Sequence, residues 1–564
     1  MKQIVFSLLF SAMTATTAMA VPALSQWFTH VQPDGTTLRL RLVGDEFFSY
    51  YETEDGMLMK QTADGNYEPT DDNSYSLEWK RALAADLSQR RNERNSLSPS
   101  MRQAISDGTR KKGLVIIMQF PDQAMRDDNS WNDWNAILNE DGFSENYAAG
   151  SVYNYFKDQS NGALLLNFDL LGPFTADHER SYYGTNGRNY KDEHAYELVA
   201  EACQAVKDKV DFGDYDWDGD GQVEQVVVVF AGSGENVSGN PSEWIWPHES
   251  SMIYFPPYNQ TQGLVIGKHR ITTYALVSEL TFGTNLSGLG TFCHEFSHCL
   301  GLPDFYTYTG IDTMGDYDLM ASGNHNNNGW CPANYTAYQK MYCGWYTPIE
   351  LTEATSISNM VPLSNGGDAY IIRNKAVQSN VDEYFLLECR LKDGWDKYIP
   401  SQGMTITHYD YDEWSWRSNQ VNNDANHPRA TIIPANNKYT QKDASGFTYP
   451  YGLIKPINSF TDSSTPAAKV YHRPAGASFA SQYYLGKPIT NIKFKNRTIS
   501  FNFMGGDTSG ILDVTATETL IGQPLDIHDL SGRRLRHIDR YEGTEQLHLP
   551  SGIYIIGGRK VRIK

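Results

Sequence analysis

Two histidines and a glutamate lie close together in the segment HEFSH, residues 294–298. On a helix, His294 and His298 are four residues apart, so their side chains project from one face. Two imidazoles in that arrangement can bind one zinc ion, and Glu295 beside them can act as a general base on a water at the metal. The spacing therefore predicts metal-assisted hydrolysis, although an isolated HExxH also occurs in amphipathic helices with two ordinary histidines.

A third ligand is predicted at Asp304, ten residues after His294. Gly301 can end the helix and turn the chain back, which would bring the Asp304 carboxylate to the same metal. The other common arrangement takes a glutamate from a second helix, but the sequence between Cys299 and Ile349 contains no glutamate. The alternative is that Asp304 caps a turn while a more distant residue binds the metal.

A methionine follows the motif in the segment DLMASG, residues 318–323. Met320 would lie beneath the metal site as the methionine of a Met-turn, and Met314 is the alternative. The residues HEFSHCLGLPDFY (294–306), together with this D-L-M, resemble the immune-inhibitor-A family of secreted bacterial metallopeptidases. The resemblance extends from about Leu114 to Ile433, and it implies a zincin-like zinc peptidase.

One position departs from related zincins. Astacin-like and serralysin-like enzymes place a tyrosine two residues after the methionine of the turn, whereas this chain has Ser322. The group that stabilises the oxyanion is therefore not assigned by position. Four side chains are candidates for that role, although a structural role is the simpler explanation for each one taken singly: Tyr306, Tyr317, Tyr335 and His325.

A second cation site is predicted in the acidic segment 214–224. Its candidate ligands match positions 1, 3, 5, 7 and 9 of a calcium loop, and they are Asp216, Asp218, Asp220, Gln222 (through its carbonyl) and Glu224. Gly221 supplies the sharp turn, but Val227 stands where an EF-hand has its bidentate glutamate. The segment is thus a calcium loop leading into a strand, or else an acidic loop neutralised by solvent alone.

The composition limits the function classes. The chain has 564 residues, enough for about two to four domains. A net charge of −20 argues against nucleic acid or an anionic membrane as a partner. Residues 1–20 have the pattern of a signal peptide, with Lys2, the apolar run Ile4–Phe10 and a small-residue cleavage site ending at Ala20. No stretch reaches membrane-spanning length, so we expect an exported protein without an integral membrane segment.

Residues 21–112 form a predicted N-terminal region, which in the family it resembles is a propeptide. It begins with strand-like segments around Thr36–Val43 and Phe47–Tyr51. The stretch from Lys80 to Lys112 contains Arg90-Arg91 and Arg110-Lys111-Lys112. It is either an exposed, cleavable connector or a solvated linker helix.

Residues 113–348 are predicted to form the zincin domain, because helical and strand patterns alternate ahead of residue 294. The predicted strands are Leu114–Phe120, Leu164–Leu171, Val226–Phe230 and Ile271–Leu280, and the predicted helices are Ser144–Ser160 and Glu193–Lys209. Six cysteines are too few for a disulfide scaffold. Cys293 and Cys299 are expected to be free thiols, and the pairing of Cys331 with Cys343 stays open.

Residues 349–505 change to short alternating strands and suggest a β-sandwich-like domain. His408, Asp410 and Asp412 alternate along one of these strands, where they would bind a cation or, more simply, form a half-buried rim. Residues 511–564 alternate like small hairpins and resemble the C-terminal sorting domain of type IX secretion substrates in Gram-negative bacteria. A plain structural β module is the alternative.

The sequence as a whole predicts an α+β protein: a zincin-like domain with a mixed sheet and an active-site helix, followed by β-rich domains. We expect a secreted or cell-surface zinc endopeptidase, with calcium as a second cation, protein or peptide substrates, and secretion machinery as a partner of the C-terminal domain. Two rival hypotheses are a calcium-dependent surface adhesion protein with an inactive core, and a zincin that acts on a small peptide or another amide.

Overall fold

The computed structural model describes residues 19–24, 26–45, 49–62, 64–70, 97–127, 130–186, 192–282, 285–307, 313–506, 512–513, 520–529, 533–556 and 559–563. Most of the predicted signal peptide, Arg90-Arg91 and the segment 507–510 lie outside these ranges. Within them, the chain is a mixture of helices and several β-sheets, which agrees with the predicted α+β class.

The largest sheet, called here the central sheet, is mixed. In spatial order, its strands are Met19–Ala20, His248–Ser251, Thr273–Thr281, Val226–Ser233, Arg110–Gln119 and Leu165–Thr175, and Asn285–Leu286 pairs with Thr273–Thr281. The four strands from Thr273–Thr281 to Leu165–Thr175 run parallel to one another. His248–Ser251, called the edge strand, runs antiparallel to Thr273–Thr281.

The central sheet separates two apolar cores. Along Arg110–Gln119, Val115 and Ile117 face one core, whereas Leu114 and Ile116 face the other. This two-residue alternation is the strand period, and it explains why the apolar run is continuous: both faces are covered. Helix Ala195–Val206 packs in the second core, and helix Leu289–His298 packs in the first.

Helix Leu289–His298 carries the HEFSH segment and is called the site helix. Phe292 and Phe296 lie on its apolar side and contact the ring of Phe168 from the central sheet, with ring centroids 5.1 and 5.4 Å away. Gly290 is required by packing, since a Cβ there would lie 1.9 Å from the carbonyl oxygen of Asn324. The remaining α-helices of the described residues are Pro99–Ala104, Ser130–Asn139, Val152–Gln159, Arg180–Gly184, Ala195–Val206, Tyr258–Thr261, Ala337–Tyr342 and Glu413–Arg417.

The chain after residue 348 forms two further sheets that share a core. The first, called the downstream sheet, has the strand order Ile349–Glu350, Tyr370–Arg373, Asp382–Arg390, Gly403–Tyr411 and Ala430–Ile432, and the second is Thr355–Met360, Thr498–Phe503 and Ile489–Lys495. Phe385 and Leu387 face the core between these sheets. Tyr384 and Leu386, on the opposite face, pack in the same core as the site helix. The downstream sheet is therefore covered on both faces, unlike a simple sandwich.

An N-terminal sheet is formed by Phe28–Val31, Thr37–Gly44, Ser49–Thr53, Leu58–Gln61 and Tyr67–Pro69. Its core includes Leu40, Leu42 and Tyr51, together with Trp246 from the chain just before the edge strand. A C-terminal sheet has the order Leu512–Asp513, Arg559–Ile563, Gly552–Ile556, Leu525–His528 and Arg534–Ile538. Small sheets are Leu264–Ile266 with His269–Ile271 and Gln222–Val223, and Lys469–Val470 with Tyr483–Tyr484.

One prediction about the connector is wrong. Arg110, Lys111 and Lys112 are not an exposed linker but the first residues of a central strand, paired with Leu165, Leu166 and Asn167. The pattern looked polar because these residues lie at the sheet's end, where long basic side chains reach solvent or acidic partners. Lys111, for example, contacts Asp107 at 2.9 Å.

Two further points concern the cysteines and the membrane. All six cysteines are free thiols, so Cys331 and Cys343 are not paired, and Cys293 is buried while Cys299 is half-buried. No helix in the described ranges is both long and apolar enough to cross a membrane.

Candidate metal centre

His294 and His298 project from the site helix and are both buried, with ring centroids 4.9 Å apart. In each ring Nδ1 lies against a backbone carbonyl: that of Leu319 at 2.8 Å for His294, and that of Leu302 at 2.7 Å for His298. A carbonyl can only accept a hydrogen bond, so Nδ1 carries the proton in both rings. The ring nitrogen left to bind a metal is therefore Nε2, which is the atom directed into the site.

Asp304 reaches the same point after a sharp turn. The helix ends at His298, and Gly301 adopts φ +78°, a left-handed conformation that favours glycine. Asp304 Oδ1 then lies 3.1 Å from His294 Nε2 and 3.6 Å from His298 Nε2. Asn419 holds the other carboxylate oxygen with its amide at 2.8 Å, and accepts the Asp304 backbone N–H at 2.7 Å.

These three side chains suit a bound zinc ion. Two neutral imidazole nitrogens and one carboxylate oxygen are a common zinc donor set. His294 Nε2 and Asp304 Oδ1 are buried and make no hydrogen bond within the described residues. Buried polar atoms are costly when they have no hydrogen bond, and a cation between them would supply the missing interaction. His294, His298 and Asp304 also form one of the few clusters of metal-binding side chains in the described chain.

Glu295 is directed into the same site from the adjacent helix position. It is fully buried, and its Oε2 lies 3.9 Å from His298 Nε2. Its Oε1 accepts a hydrogen bond of 3.0 Å from the backbone N–H of Val21. A backbone nitrogen therefore lies within hydrogen-bonding distance of this carboxylate.

The residues after the motif form the base of the site. Asp318 Oδ1 accepts from the Met320 N–H at 2.7 Å and from the Gln339 amide at 2.7 Å. Burial raises the pKa of Asp318 to about 6. Met320 is fully buried and follows Leu319, the residue whose carbonyl fixes His294. The D-L-M segment thus supports the site helix through its backbone, at the place predicted for a Met-turn.

Most of the candidate oxyanion groups are engaged elsewhere. Their hydroxyl contacts are Tyr306 with Asp45, Tyr317 with Ser401 and Ala444, and Tyr335 with Ser297. His325 differs, because its Nε2 lies 2.8 Å from the carbonyl oxygen of Pro22. Burial lowers the pKa of His325 to about 4, so its ring is neutral.

Residues 19–24, called the inserted segment, lie across the opening of the site. Met19 and Ala20 pair antiparallel with the edge strand, opposite Glu249 and His248. The next residue, Val21, is fully buried. Further along, the Leu24 N–H donates to the Asn236 carbonyl at 2.8 Å. An extended segment added to a sheet edge is a common mode of peptide binding.

The acidic loop is only partly assembled around one point. Asp216, Asp218 and Glu224 bring carboxylate oxygens within 4.8 Å of one another. Asp220 instead accepts from the Gln222 amide at 2.8 Å. Burial, with the neighbouring aspartates, raises the pKa of Glu224 to about 9.

The acidic loop also has a partner that the sequence did not indicate. The hydroxyl of Ser100 donates to Asp218 Oδ2 at 2.8 Å, and that of Ser98 lies 3.3 Å from the same oxygen. Ser98 is the N-cap of helix Pro99–Ala104, so one loop carboxylate is tied to the start of that helix.

The residues His408, Asp410 and Asp412 do not converge. His408 Nε2 pairs with Glu383 at 2.9 Å, and Asp412 caps helix Glu413–Arg417. Asp410 is buried among three other partners: His427 at 2.6 Å, Arg429 at 2.8 Å and His472 at 3.1 Å. These hydrogen bonds and charges hold the pKa of the Asp410 carboxyl well below its usual range. Since Arg429 already supplies a cation, we interpret this cluster as an internal ion-pair network.

Two residues near the site were missed by sequence analysis, namely Asn419 and Trp246. Asn419 is 115 residues from Asp304 in the chain, and Trp246 is 225 residues from its partner Val21. No local motif surrounds either residue, so only the folded chain brings them to the site.

Comparison with known proteins indicates a peptidase family for part of the chain. Residues 102–345 match the model of the immune inhibitor A peptidase M6 catalytic domain. The pre-pro-metalloprotease PrtV of Vibrio cholerae serotype O1 is 26% identical over 216 residues, covering 34% of this chain and 23% of that protein. Immune inhibitor A of Bacillus thuringiensis subsp. alesti is 24% identical over 306 residues, covering 45% and 43%.

The chain thus spans less than half the length of these relatives. Both the family match and the relatives indicate a metalloprotease. Residues 102–345 are therefore similar to metallopeptidase catalytic domains of the immune inhibitor A, or M6, type.

Proposed function

We propose that this protein is a zinc-dependent endopeptidase, with His294, His298 and Asp304 as the metal ligands and Glu295 as the general base. The observation that carries the proposal is the convergence of three buried donor atoms, with Asp304 Oδ1 3.1 and 3.6 Å from the two histidine nitrogens. Three protein ligands leave a fourth coordination position open, which catalysis by zinc requires.

When bound, zinc would supply a Lewis acid that activates water and polarises the scissile carbonyl. Glu295 would take the proton from the attacking water and transfer it to the nitrogen of the leaving amine. Its position supports this role, since Glu295 Oε1 lies 3.0 Å from a peptide nitrogen, that of Val21. The closed surroundings would exclude other waters and strengthen these interactions.

The test combines metal analysis with peptidase assays on the mature protein. We expect about one zinc per chain and cleavage of casein or gelatin by the wild type. Glu295→Gln keeps the size of the side chain and one acceptor oxygen but removes the base, so it should retain zinc and lose activity. A wild type that binds zinc but cleaves neither proteins nor a peptide library would refute the proposal.

The second candidate is a calcium-dependent surface binding protein with an inactive core. The β-sheets after residue 348 would suit adhesion, but an adhesion protein does not need a general base. Glu295 is fully buried beside the histidines, where a carboxylate is costly to keep without a function. A zincin specific for a small peptide or another amide is a further possibility, which cleavage of proteins as well as peptides would exclude.

We further propose calcium as a second cation, bound by Asp216, Asp218 and Glu224. The support is the clustering of their oxygens within 4.8 Å and the burial of Glu224 among other carboxylates. Asp220 and Gln222, also predicted as ligands, pair with each other and would need to rearrange or to bind through the Gln222 carbonyl. A divalent cation would relieve the repulsion among these groups.

We propose that the N-terminal region acts as a propeptide. The support is the part of the inserted segment that remains after removal of residues 1–20. Its Val21 nitrogen lies 3.0 Å from Glu295 Oε1, and its Val21 carbonyl accepts from Trp246 at 2.9 Å. A peptide substrate would need the same strip of sheet edge. The protein would therefore be latent while this segment is bound.

Export is proposed from the sequence alone, through the signal peptide of residues 1–20 and the C-terminal region 511–564. The described part of that region is a β-sheet, which suits a sorting domain or a plain β module equally. The protein would then be secreted or held at the cell surface of a Gram-negative bacterium. Deleting residues 511–564 should leave the chain in the periplasm if the region is a sorting signal.

A further inference from the structure

The inserted segment contacts the site mainly through its backbone. Its hydrogen bond to Glu295 shows which of its residues lies at the position of the scissile bond. In the proposed reaction, Glu295 gives a proton to the nitrogen of the leaving amine. In the structure the Val21 nitrogen lies 3.0 Å from Glu295 Oε1, at hydrogen-bonding distance for such a transfer. Val21 therefore takes the place of the first residue after a scissile bond, and Pro22 takes the place of the second.

Two side chains of the peptidase domain bind the backbone carbonyls of Val21 and Pro22. Trp246 Nε1–H donates to the Val21 carbonyl at 2.9 Å, and the Trp246 side chain is fully buried. His325 Nε2 lies 2.8 Å from the Pro22 carbonyl. Because a carbonyl only accepts, His325 carries its proton on Nε2 and donates it.

Trp246 lies just before the edge strand, and His325 lies just after the D-L-M segment. The Trp246 backbone N–H donates to Asp192 Oδ2 at 3.0 Å, just ahead of the edge strand. His325 ends the short helix Ser322–His325, which begins two residues after Met320. A substrate strand on the same edge would meet these donors in the same order.

We propose that Trp246 and His325 are substrate-binding residues on the leaving-group side of the scissile bond. Trp246 donates to the carbonyl of the first residue after the bond, and His325 donates to the carbonyl of the second. This inference rests on the proposed peptidase function, and it specifies how the site recognises a substrate.

The inference has a consequence for the substrate class. Backbone carbonyls occur at every position of a polypeptide, so these donors select for chain length beyond the cleavage point rather than for side chains. A substrate with only one residue after the scissile bond lacks the carbonyl that His325 binds. The enzyme should therefore favour internal bonds over release of a single C-terminal residue.

The test uses two fluorogenic peptides that are identical up to the scissile bond. One ends as an amide after the first residue beyond the bond, and the other ends as an amide after the second. His325→Leu in the mature, zinc-loaded protein should lower kcat/KM for the longer peptide by about 3–10-fold, the usual effect of one lost hydrogen bond. It should leave the shorter peptide unchanged, and His325→Gln, which keeps an N–H donor, should restore most of the loss.

Trp246→Phe should lower kcat/KM for both peptides, because both contain the first carbonyl. The matched control is Trp244→Phe, whose indole instead lies over the Arg180 guanidinium at 3.6 Å and should affect neither peptide. Equal losses on both peptides for His325→Leu, or no rescue by His325→Gln, would overturn the assignment of His325. An unaffected Trp246→Phe would overturn that of Trp246.

A measurement of kcat/KM on the wild type tests the same inference if the variants misfold. In the longer peptide, the terminal carboxamide of the second residue is replaced by a methyl group, which removes the carbonyl without adding a charge. kcat/KM should fall by the same factor as for His325→Leu, and an unchanged value would overturn the inference. If the wild type cleaves neither peptide nor casein, the proposed peptidase function fails, which differs from a failure of the subsites alone.

Discussion

The chemistry of His294 and His298 is decided by two backbone carbonyls. Leu319 and Leu302 accept from Nδ1 of the two rings, which leaves both Nε2 atoms as donors for a metal. Asn419 acts in the same way on Asp304, because it occupies Oδ2 and leaves Oδ1 facing the histidines. These supporting hydrogen bonds fix the geometry of the ligands before a metal binds, which favours affinity and precise positioning.

Asp304→Ala should remove zinc as well as activity. The variant deletes the only carboxylate among the three proposed ligands, so zinc affinity should fall by more than the roughly 10–100-fold that loss of a supporting hydrogen bond costs. Zinc content after dialysis and peptidase activity are the measurements. Asp424→Ala, at an exposed turn, is the matched control and should behave as the wild type. Stoichiometric zinc with near-normal rates in Asp304→Ala would show that another residue is the third ligand.

Asn419→Ala should lower zinc affinity by about 10–100-fold without deleting a ligand. The variant leaves Asp304 Oδ2 and the Asp304 N–H without their amide partner, so the carboxylate can turn away from the histidines. Competition with a chromogenic chelator measures the affinity. Asn423→Ala, in the same loop and bonded to Gln420 at 3.0 Å, should leave it unchanged. Equal affinities for the two variants would mean that Asn419 does not orient Asp304.

At this scale the sequence predicted those residues that are linked by local spacing. His294, Glu295, His298 and Asp304 lie within eleven positions on a helix and its following turn, so a periodicity argument brings them together. Asn419 and Trp246 approach the site through the tertiary fold, 115 and 225 residues from their partners in the chain. Without a metal or a local motif to constrain them, one sequence does not single them out.

At the scale of elements, the acidic loop shows the difference between spacing and geometry. The positions predicted as ligands are regular, but Asp220 turns toward Gln222, and Asp218 is hydrogen-bonded to Ser100.

The downstream sheet also differs from what spacing alone predicts. Its strands were predicted from alternation, yet Asp382–Arg390 is buried on almost every residue because a second core covers its other face. Packing between distant elements decides both cases.

Calcium should stabilise the protein through the acidic loop. At a free calcium concentration of about 100 times the Kd, one bound ion adds about 2.7 kcal/mol to the free energy of unfolding. This corresponds to a rise in Tm of about 5 °C. A calcium-selective chelator that spares zinc should reverse the rise and speed autolysis. Asp218→Asn should reduce the effect, whereas Asp208→Asn, on the exposed end after helix Ala195–Val206, should not. An unchanged Tm with and without calcium in the wild type would contradict the site.

At the scale of the whole molecule, the N-terminal region and the peptidase domain are interleaved. The chain passes from the inserted segment through the N-terminal sheet and back into the central strand Arg110–Gln119. Residues 97–112 are already part of the domain: Arg102 donates to the Tyr342 carbonyl, and Trp345 donates to the Ile105 carbonyl at 2.9 Å. A cut within 97–112 would therefore disrupt the central sheet, so the activating cut is expected between residues 70 and 97.

The intact chain should be latent, and cleavage between residues 70 and 97 should activate it. The inserted segment is tethered, so it competes with substrate at a local concentration of roughly millimolar, and activity on casein should rise by about 100-fold on its release. Ser238→Ala should raise the activity of the uncut chain, because Ser238 accepts from the Leu42 N–H and donates to the Leu24 carbonyl, both at 3.1 Å. Ser242→Ala, at an exposed position nearby, is the control. Full activity of an uncut chain that still begins at Val21 would contradict the propeptide role, since the strip of sheet edge that the inserted segment covers is the one that a substrate must use.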